Sequence, residues 1–357
     1  MVRRQPSAVF QGLVALAAVV VIVAGLKEAS DVLLPILFSV FLAILGVPLV
    51  RLLERAKVPT VVGIPVVVLL FALGLVGITA IVAQTVRGFT AEIDQYKEPF
   101  NELVATALMW ADRFSIEVDL SSLTELVQPS VMMGMLTQTL NALISVLSRI
   151  IIVIVTMTFI MFEATELELK FKAAFGTDAR PAGPFTDATL QVQRYLVIKT
   201  IASAFTGLFV AAGCSFIGLD FPIMWGLIAF LFNYVPSIGS IVAAIPPILL
   251  AIVQLSPGAA LAVAILYVVV NVTIGNFLEP RFMGRSLGLS PLVVFLSLLF
   301  WGWVWGPVGM LFCVPMTVIA KLFLETQDDT RWIAVFLGSP REILDQQARE
   351  QEEGHSA

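Results

Sequence analysis

Charged side chains are scarce in this sequence: they make up 13% of its 357 residues, against 59% apolar. A water-soluble domain carries roughly a quarter charged residues, so a soluble globular fold is excluded in favour of an all-α, polytopic membrane protein. Histidine occurs once, as His355 in a polar C-terminal tail, which removes most histidine-based acid–base chemistry. Cysteine occurs twice, as Cys214 and Cys313, each inside an apolar stretch. Two such positions give neither a disulfide framework nor a metal-ligand spacing, and each reads as a small core hydrophobe. The chain lacks a His-Glu-x-x-His zinc motif, a Walker sequence and a serine–histidine pairing. An enzyme, a resident metal or cofactor, and direct drive by ATP therefore have no support. A basic patch with interleaved aromatics is also missing, and with it the case for nucleic acid binding.

What is present is apolar length. Runs over about 9–26, 32–50, 61–86 and 143–162 each match what a bilayer requires. Arg3 and Arg4 precede the first run, while Arg51, Arg55 and Lys57 follow the second. By the positive-inside rule both loops are cytoplasmic. Ala15-Leu16-Ala17 resembles a signal-peptidase triplet but lies in mid-run, so the first run is read as a retained span. The third span then exits, and residues 87–142 form an external insert. Ile93, Tyr96, Phe100, Leu103, Ala107, Trp110 and Phe114 fall on one helical stripe, and Ser122 with Glu125 has capping-box spacing. A helical hairpin that packs on itself or on neighbouring subunits is favoured over a ligand-binding domain. Residues 1–86 are thus the first three spans, 87–142 the insert, 143–200 span four with cytoplasmic helices, 201–325 a transport core and 326–357 a cytoplasmic tail. Both termini are expected in the cytoplasm.

Two apolar stretches of the core, 222–255 and 291–324, are broken in the same places. Pro222 and Pro246 recur at one common offset as Pro291 and Pro315. Between them lie Pro236-Ser237-Ile238-Gly239 in one stretch and Gly306-Pro307-Val308-Gly309 in the other. Proline removes a backbone donor and clashes one turn back, and in lipid the freed groups must be satisfied by protein or a wet cavity. Paired interrupted segments of this kind point to a transport site. Split at its break, each stretch gives arms of about 15 residues, short for a span. Two re-entrant hairpins, one from each side of the membrane, place Arg281 and Arg285 in the cytoplasm. Two long kinked spans would place both outside, against the charge rule. One span plus one hairpin, repeated in opposite orientation, makes an inverted repeat around a midplane site.

The segment Asn276-Phe277-Leu278-Glu279-Pro280-Arg281-Phe282-Met283-Gly284-Arg285-Ser286-Leu287-Gly288-Leu289-Ser290-Pro291 closely resembles the signature of the autoinducer-2 exporter family. So do Phe300-Trp301-Gly302-Trp303-Val304-Trp305-Gly306-Pro307-Val308-Gly309-Met310 and Tyr234-Val235-Pro236-Ser237-Ile238-Gly239. The resemblance implies a permease-like exporter of the bacterial inner membrane. Some members are associated with export of a furanone signal, others with sodium–proton antiport. With the apolar insert it implies a homo-oligomer, with a pentamer as the expected assembly. A secondary transporter that exports a small polar solute, coupled to H+ or Na+, is the leading reading. Sodium–proton antiport is the alternative and a channel the further rival.

Asn233, Tyr234, Ser237, Gly239 and Ser240 crowd the first break and, with Gly309 of the second, are the candidate solute-binding residues. Asn271 and Asn276 are further candidates in the preceding span; with Thr273 they serve equally well as glue between helices. At α-helical spacing Thr273 and Asn276 share a face, with Asn271 to the side. Glu279 and Arg281 are the candidate coupling pair. Glu279 is either an interfacial ion-pair member fixing the turn or a protonatable coupling group. Asp220 and Lys321 read as anchors, Arg149 as a residue that snorkels outward, and Trp301, Trp303 and Trp305 as a packing or interface cluster. A cysteine introduced at position 285 is expected to resist an impermeant thiol reagent added outside intact cells; labelling there would overturn the hairpin topology.

Overall fold

A computed structural model describes residues 8–96, 149–175, 184–236, 238–283, 288–327 and 329–338, with isolated positions between 98 and 109. Most of the stripe and capping box expected in the insert, the 176–183 loop, Ser237, Arg285 and the tail with His355 lie outside the described residues. Among the described residues the chain is helical, with α1 (Ala8–Glu28), α2 (Ser30–Arg55) and α3 (Thr60–Glu92), which closes on a 3-10 turn, Ile93–Tyr96. There follow α4 (Ile150–Phe175), α5 (Pro184–Ile217), α6 (Pro222–Phe232), α7 (Gly239–Gln254) and α8 (Pro257–Asn271). A π-helical turn, Val272–Leu278, continues α8 into α9 (Glu279–Met283), and α10 (Pro291–Glu325) and α11 (Arg331–Leu337) complete the order. Five stretches are long and apolar enough to cross a membrane: Ser30–Arg55, Thr60–Gln84, Leu190–Ile217, Pro257–Leu278 and Pro291–Glu325.

Prolines inside α2 show how backbone groups are kept satisfied. Pro35 has no N–H to offer the carbonyl of Asp31, and Pro48 none for that of Ile44. Arg149, at the start of α4, donates to the Asp31 carbonyl and pairs with its carboxylate at 3.1 Å. Arg149 is therefore a helix-to-helix tie as well as a partly exposed side chain, its partner Asp31 being exposed at the start of α2. Gln193 on α5 donates to the Ile44 carbonyl at 3.3 Å. Each carbonyl that a proline of α2 leaves without its helical donor thus has a partner from another helix or its leading residue.

Both broken stretches double back. In the first, the Asp220 amide donates to the Gln254 side chain at 3.0 Å, and Gln254 donates to the Gly218 carbonyl at 3.2 Å. The two ends of the α6–α7 stretch therefore meet. In the second, Ser297 donates to the Cys313 carbonyl at 2.9 Å and also bonds Thr317, while Trp301 Nε1 reaches Thr317 at 3.2 Å. A straight helix would hold residues 297 and 313 about 24 Å apart. The reversal sits at Gly306, whose φ of 64° and ψ of −148° lie in a region essentially open to glycine alone. The turns share a second device. A Cβ on Gly239 would collide with the Phe232 carbonyl and Val235, and one on Gly309 with the Trp301 carbonyl and Trp305.

The contacts also fix direction. Lys199 meets Glu279 and Gly213 packs on Leu266, so α5 and α8 run antiparallel. Gly207 lies against Gly226 while Ser203 bonds Asn233, so α6 also runs antiparallel to α5. The first break is therefore level with the beginning of the α5 span. The second break lies at the other end, where Trp305 Nε1 donates to the Leu26 carbonyl beside the α1–α2 turn at 2.9 Å. One apolar core joins α5 to α8, another joins α2 to α4, and a third joins the α10 arms to α1, α2 and the start of α5.

Gly306→Ala is expected to destabilise the fold by about 1–3 kcal/mol through strain at the reversal, read as a lower melting temperature in detergent. An unchanged melting temperature would contradict the turn geometry.

Candidate transport site

Lys199, Ser203 and Thr206 follow at spacings of four and three on α5, so they share one face. All three are buried, at 7%, 0% and 2% exposure. Two heights of this stripe have partners on other elements. Lys199 Nζ donates to both carboxylate oxygens of Glu279, at 2.8 and 2.9 Å. One residue on, Thr200 accepts from the Tyr234 hydroxyl at 2.8 Å. Ser203 accepts from the Asn233 side-chain amide at 2.9 Å. Thr206 Oγ1 has no partner although it is buried. Thr79, Thr158 and Thr200 each send their hydroxyl to the carbonyl four residues back, so Thr206 departs from the habit of this chain. An unsatisfied buried hydroxyl costs about 1–3 kcal/mol.

Tyr234 stands where three elements meet. Its ring is edge-on to Phe41 of α2 at 6.0 Å and to Phe230 of α6 at 5.6 Å. Phe41 is in turn edge-on to Phe312 of α10 at 5.5 Å, and Phe312 to Phe38 at 6.0 Å. An aromatic wall from the N-terminal half and the second hairpin thus closes over the first break. The polar stripe runs beneath it, from an ion pair at one end to an unpartnered hydroxyl at the other.

The structure redistributes the expected site residues. Asn233 and Tyr234 are buried against the stripe. Gly239 is buried and Ser240 half-buried at the start of α7, while Ser237 lies outside the described residues. Gly309 is buried against the Trp301 carbonyl, where its role is close backbone approach. Asn271 is half-buried, and Thr273 and Asn276 face outward. The stretch carrying them is wound as a π turn, so the shared face expected from α-helical spacing does not apply. Glu279 pairs with Lys199, and Arg281 is exposed. The charged contact of the site is therefore Lys199–Glu279. Lys199, Ser203 and Thr206 are not among the candidates singled out from the sequence, although their spacing on one face of an apolar span is a usable signal, and Thr200 enters only through its bond to Tyr234.

The remaining polar residues have structural work. Asp220 accepts from the Tyr96 hydroxyl at 2.6 Å, and its carbonyl accepts from Trp225 Nε1 at 2.8 Å. Lys321 is buried, donating to the Gly288 carbonyl at 3.0 Å and pairing with Glu325 at 3.4 Å. Trp301 and Trp305 pack 4.8 Å apart, whereas Trp303 faces outward beneath Lys27. Among the described residues, no three His, Cys, Asp or Glu side chains group to hold a metal ion.

Comparison with known proteins places this site in context. Residues 16–328 match the model of the AI-2E family transporter. The chain is 36% identical over 322 residues to the AI-2 transport protein TqsA of Escherichia coli (strain K12), covering 90% of this chain and 94% of that one. A Haemophilus influenzae protein is 36% identical over 332 residues, covering 91% and 95%. The E. coli protein YhhT is 31% identical over 329 residues, covering 92% and 94%.

Removing one member of a buried ion pair strands the other, at a cost of about 3–5 kcal/mol. Lys199→Met is therefore expected to destabilise the protein by that order, with Lys199→Met/Glu279→Gln regaining a large part. Unfolding titrations in mixed micelles test this, and a double variant no more stable than Lys199→Met would contradict the pairing.

Proposed function

Because the chain belongs to the AI-2E family of transporters, we propose that it is a secondary exporter of a small polar molecule of the autoinducer-2 type, working by alternating access. Its membrane location, with several apolar helices long enough to span, follows from the family and the fold. The observation that carries the finer reading is the buried polar stripe, Lys199 to Thr206, lying against the broken segment at Asn233 and Tyr234. A hydroxylated solute has hydroxyl and amide partners here, and Thr206 already lacks one. The E. coli relative whose name states AI-2 transport supports the cargo class.

In this reading the doubled-back stretches are re-entrant hairpins. Their short arms support it, as do their closed ends and breaks at opposite heights. The antiparallel course of α5 and α8 supports the inverted repeat. Alternating access is then movement of the C-terminal half against the N-terminal spans, with the Phe38–Phe41–Phe312 wall as the surface that must part. The protein sits in the bacterial inner membrane with both termini in the cytoplasm, assembled as a homo-oligomer, with a pentamer as the working assembly.

One observation favours sodium–proton antiport as a second reading. Glu279 is the sole partly buried carboxylate on the described stripe, and its charge is held by a single ammonium. A carboxylate so placed is suited to exchanging a proton for a cation, either on its own or coupled to solute export.

The deciding experiment uses proteoliposomes loaded with AI-2, with proton and sodium gradients imposed separately. The wild type is expected to release AI-2 faster under a proton gradient, and Glu279→Gln to release it with no dependence on pH. Unchanged pH dependence in Glu279→Gln would remove the coupling role. Flux insensitive to either gradient would indicate a channel.

A further inference from the structure

The inward face of α8 is an α-helical stripe of buried residues, Ala260, Val263, Tyr267, Val270 and Ile274, spaced by three and four. At that period Phe277 or Leu278 comes next. Both face outward, at 70% and 41% exposure. The next inward side chain is Glu279, five positions after Ile274 and 13% exposed. Five α-helical steps leave a side chain about 140° away from its starting direction, which would turn Glu279 from Lys199. The π turn over Val272–Leu278 removes that offset, because its hydrogen bonds join residues five apart. Winding, and not the position of Glu279 in the sequence alone, brings the carboxylate to Lys199.

We propose that this π turn is a register switch for the Lys199–Glu279 pair. Wound as π, it presents Glu279 to Lys199 and ties the end of the α8 span to the start of α5, level with the first break. Relaxed to α winding, it carries Glu279 around the helix and opens the pair. Lys199 then faces the Thr200, Ser203 and Asn233 stripe unmasked, where polar groups of a solute take the place of the carboxylate. Transport requires both states. Lys199 acts as the positioning residue that holds the π-wound one. The proposal rests on the alternating-access reading and adds the element that moves.

A π bulge is one extra residue in an α-helix, so deleting Gly275 leaves Glu279 turned toward Lys199 at ordinary spacing from Ile274. The deletion keeps the pair and removes the alternative register. A role confined to structure predicts a functional deletion variant; a switch predicts a locked one. The first arm needs no solute. In a background with Cys214→Ala and Cys313→Ala, Glu279→Cys is treated with a water-soluble maleimide in detergent. Labelling is expected to be at least ten-fold faster with Gly275 present than with it deleted, and equal rates would overturn the switch. The second arm measures AI-2 release from proteoliposomes. Deletion of Gly275 is expected to reduce release at least ten-fold in a protein of normal helicity and size, and release at the wild-type rate would overturn the proposal. Where the deletion fails to fold, Lys199→Cys/Glu279→Cys replaces it. Oxidation should stop release and reduction restore it, whereas release indifferent to the cross-link would overturn the proposal. A wild type that does not move AI-2 defeats the export reading, and the labelling arm still decides the switch.

Discussion

The buried pair of Lys199 and Glu279 is the contact on which the C-terminal half depends. Taking two charges out of water costs several kcal/mol each, and their attraction offsets this only when the geometry is good. Here one ammonium lies within 2.9 Å of both carboxylate oxygens. The pair sets the height at which α5 meets the end of the α8 span, and so the height of the first break, whose Tyr234 and Asn233 bond the next residues along α5. Had the chain needed only stability, apolar side chains of similar volume would have served as well. An ion pair that ends a polar stripe fits the register switch proposed above.

A second constraint comes from the apolar surroundings, in which every interrupted helix must find partners for its freed backbone groups. Arg149 and Gln193 supply them at the two prolines inside α2. The hairpin turns use glycine to bring chains together, with Gly239 and Gly309 set against carbonyls of the preceding arm. The interruptions are thus closely packed where they join helices, and the π turn lies beside the ion pair.

Much of this architecture was legible in the sequence. The order of apolar runs, the matched Pro222/Pro291 and Pro246/Pro315, and the breaks at Gly239 and Gly306 all depend on local chemistry that proline and glycine announce. Asn233 and Tyr234 stand out in the sequence as candidates because they flank a break, and the structure bonds both to α5. The partner of Glu279 was not. Arg281 is near in sequence, whereas Lys199 is 80 positions away, and no local period reports so distant a contact. The π winding was hidden for a related reason. Lipid is as apolar as the protein interior, so Phe277 and Leu278 suit either face and give no sign that the helix has slipped by one residue.

The central claim is that the stripe beneath Tyr234 is the path of the solute. Solute protection of a cysteine placed on it tests this most directly. With Cys214 and Cys313 replaced by alanine, Thr206→Cys in proteoliposomes should react with a small methanethiosulfonate reagent, and AI-2 should slow that reaction several-fold. A cysteine at position 206 that never reacts, or reacts at the same rate with and without AI-2, would contradict the account.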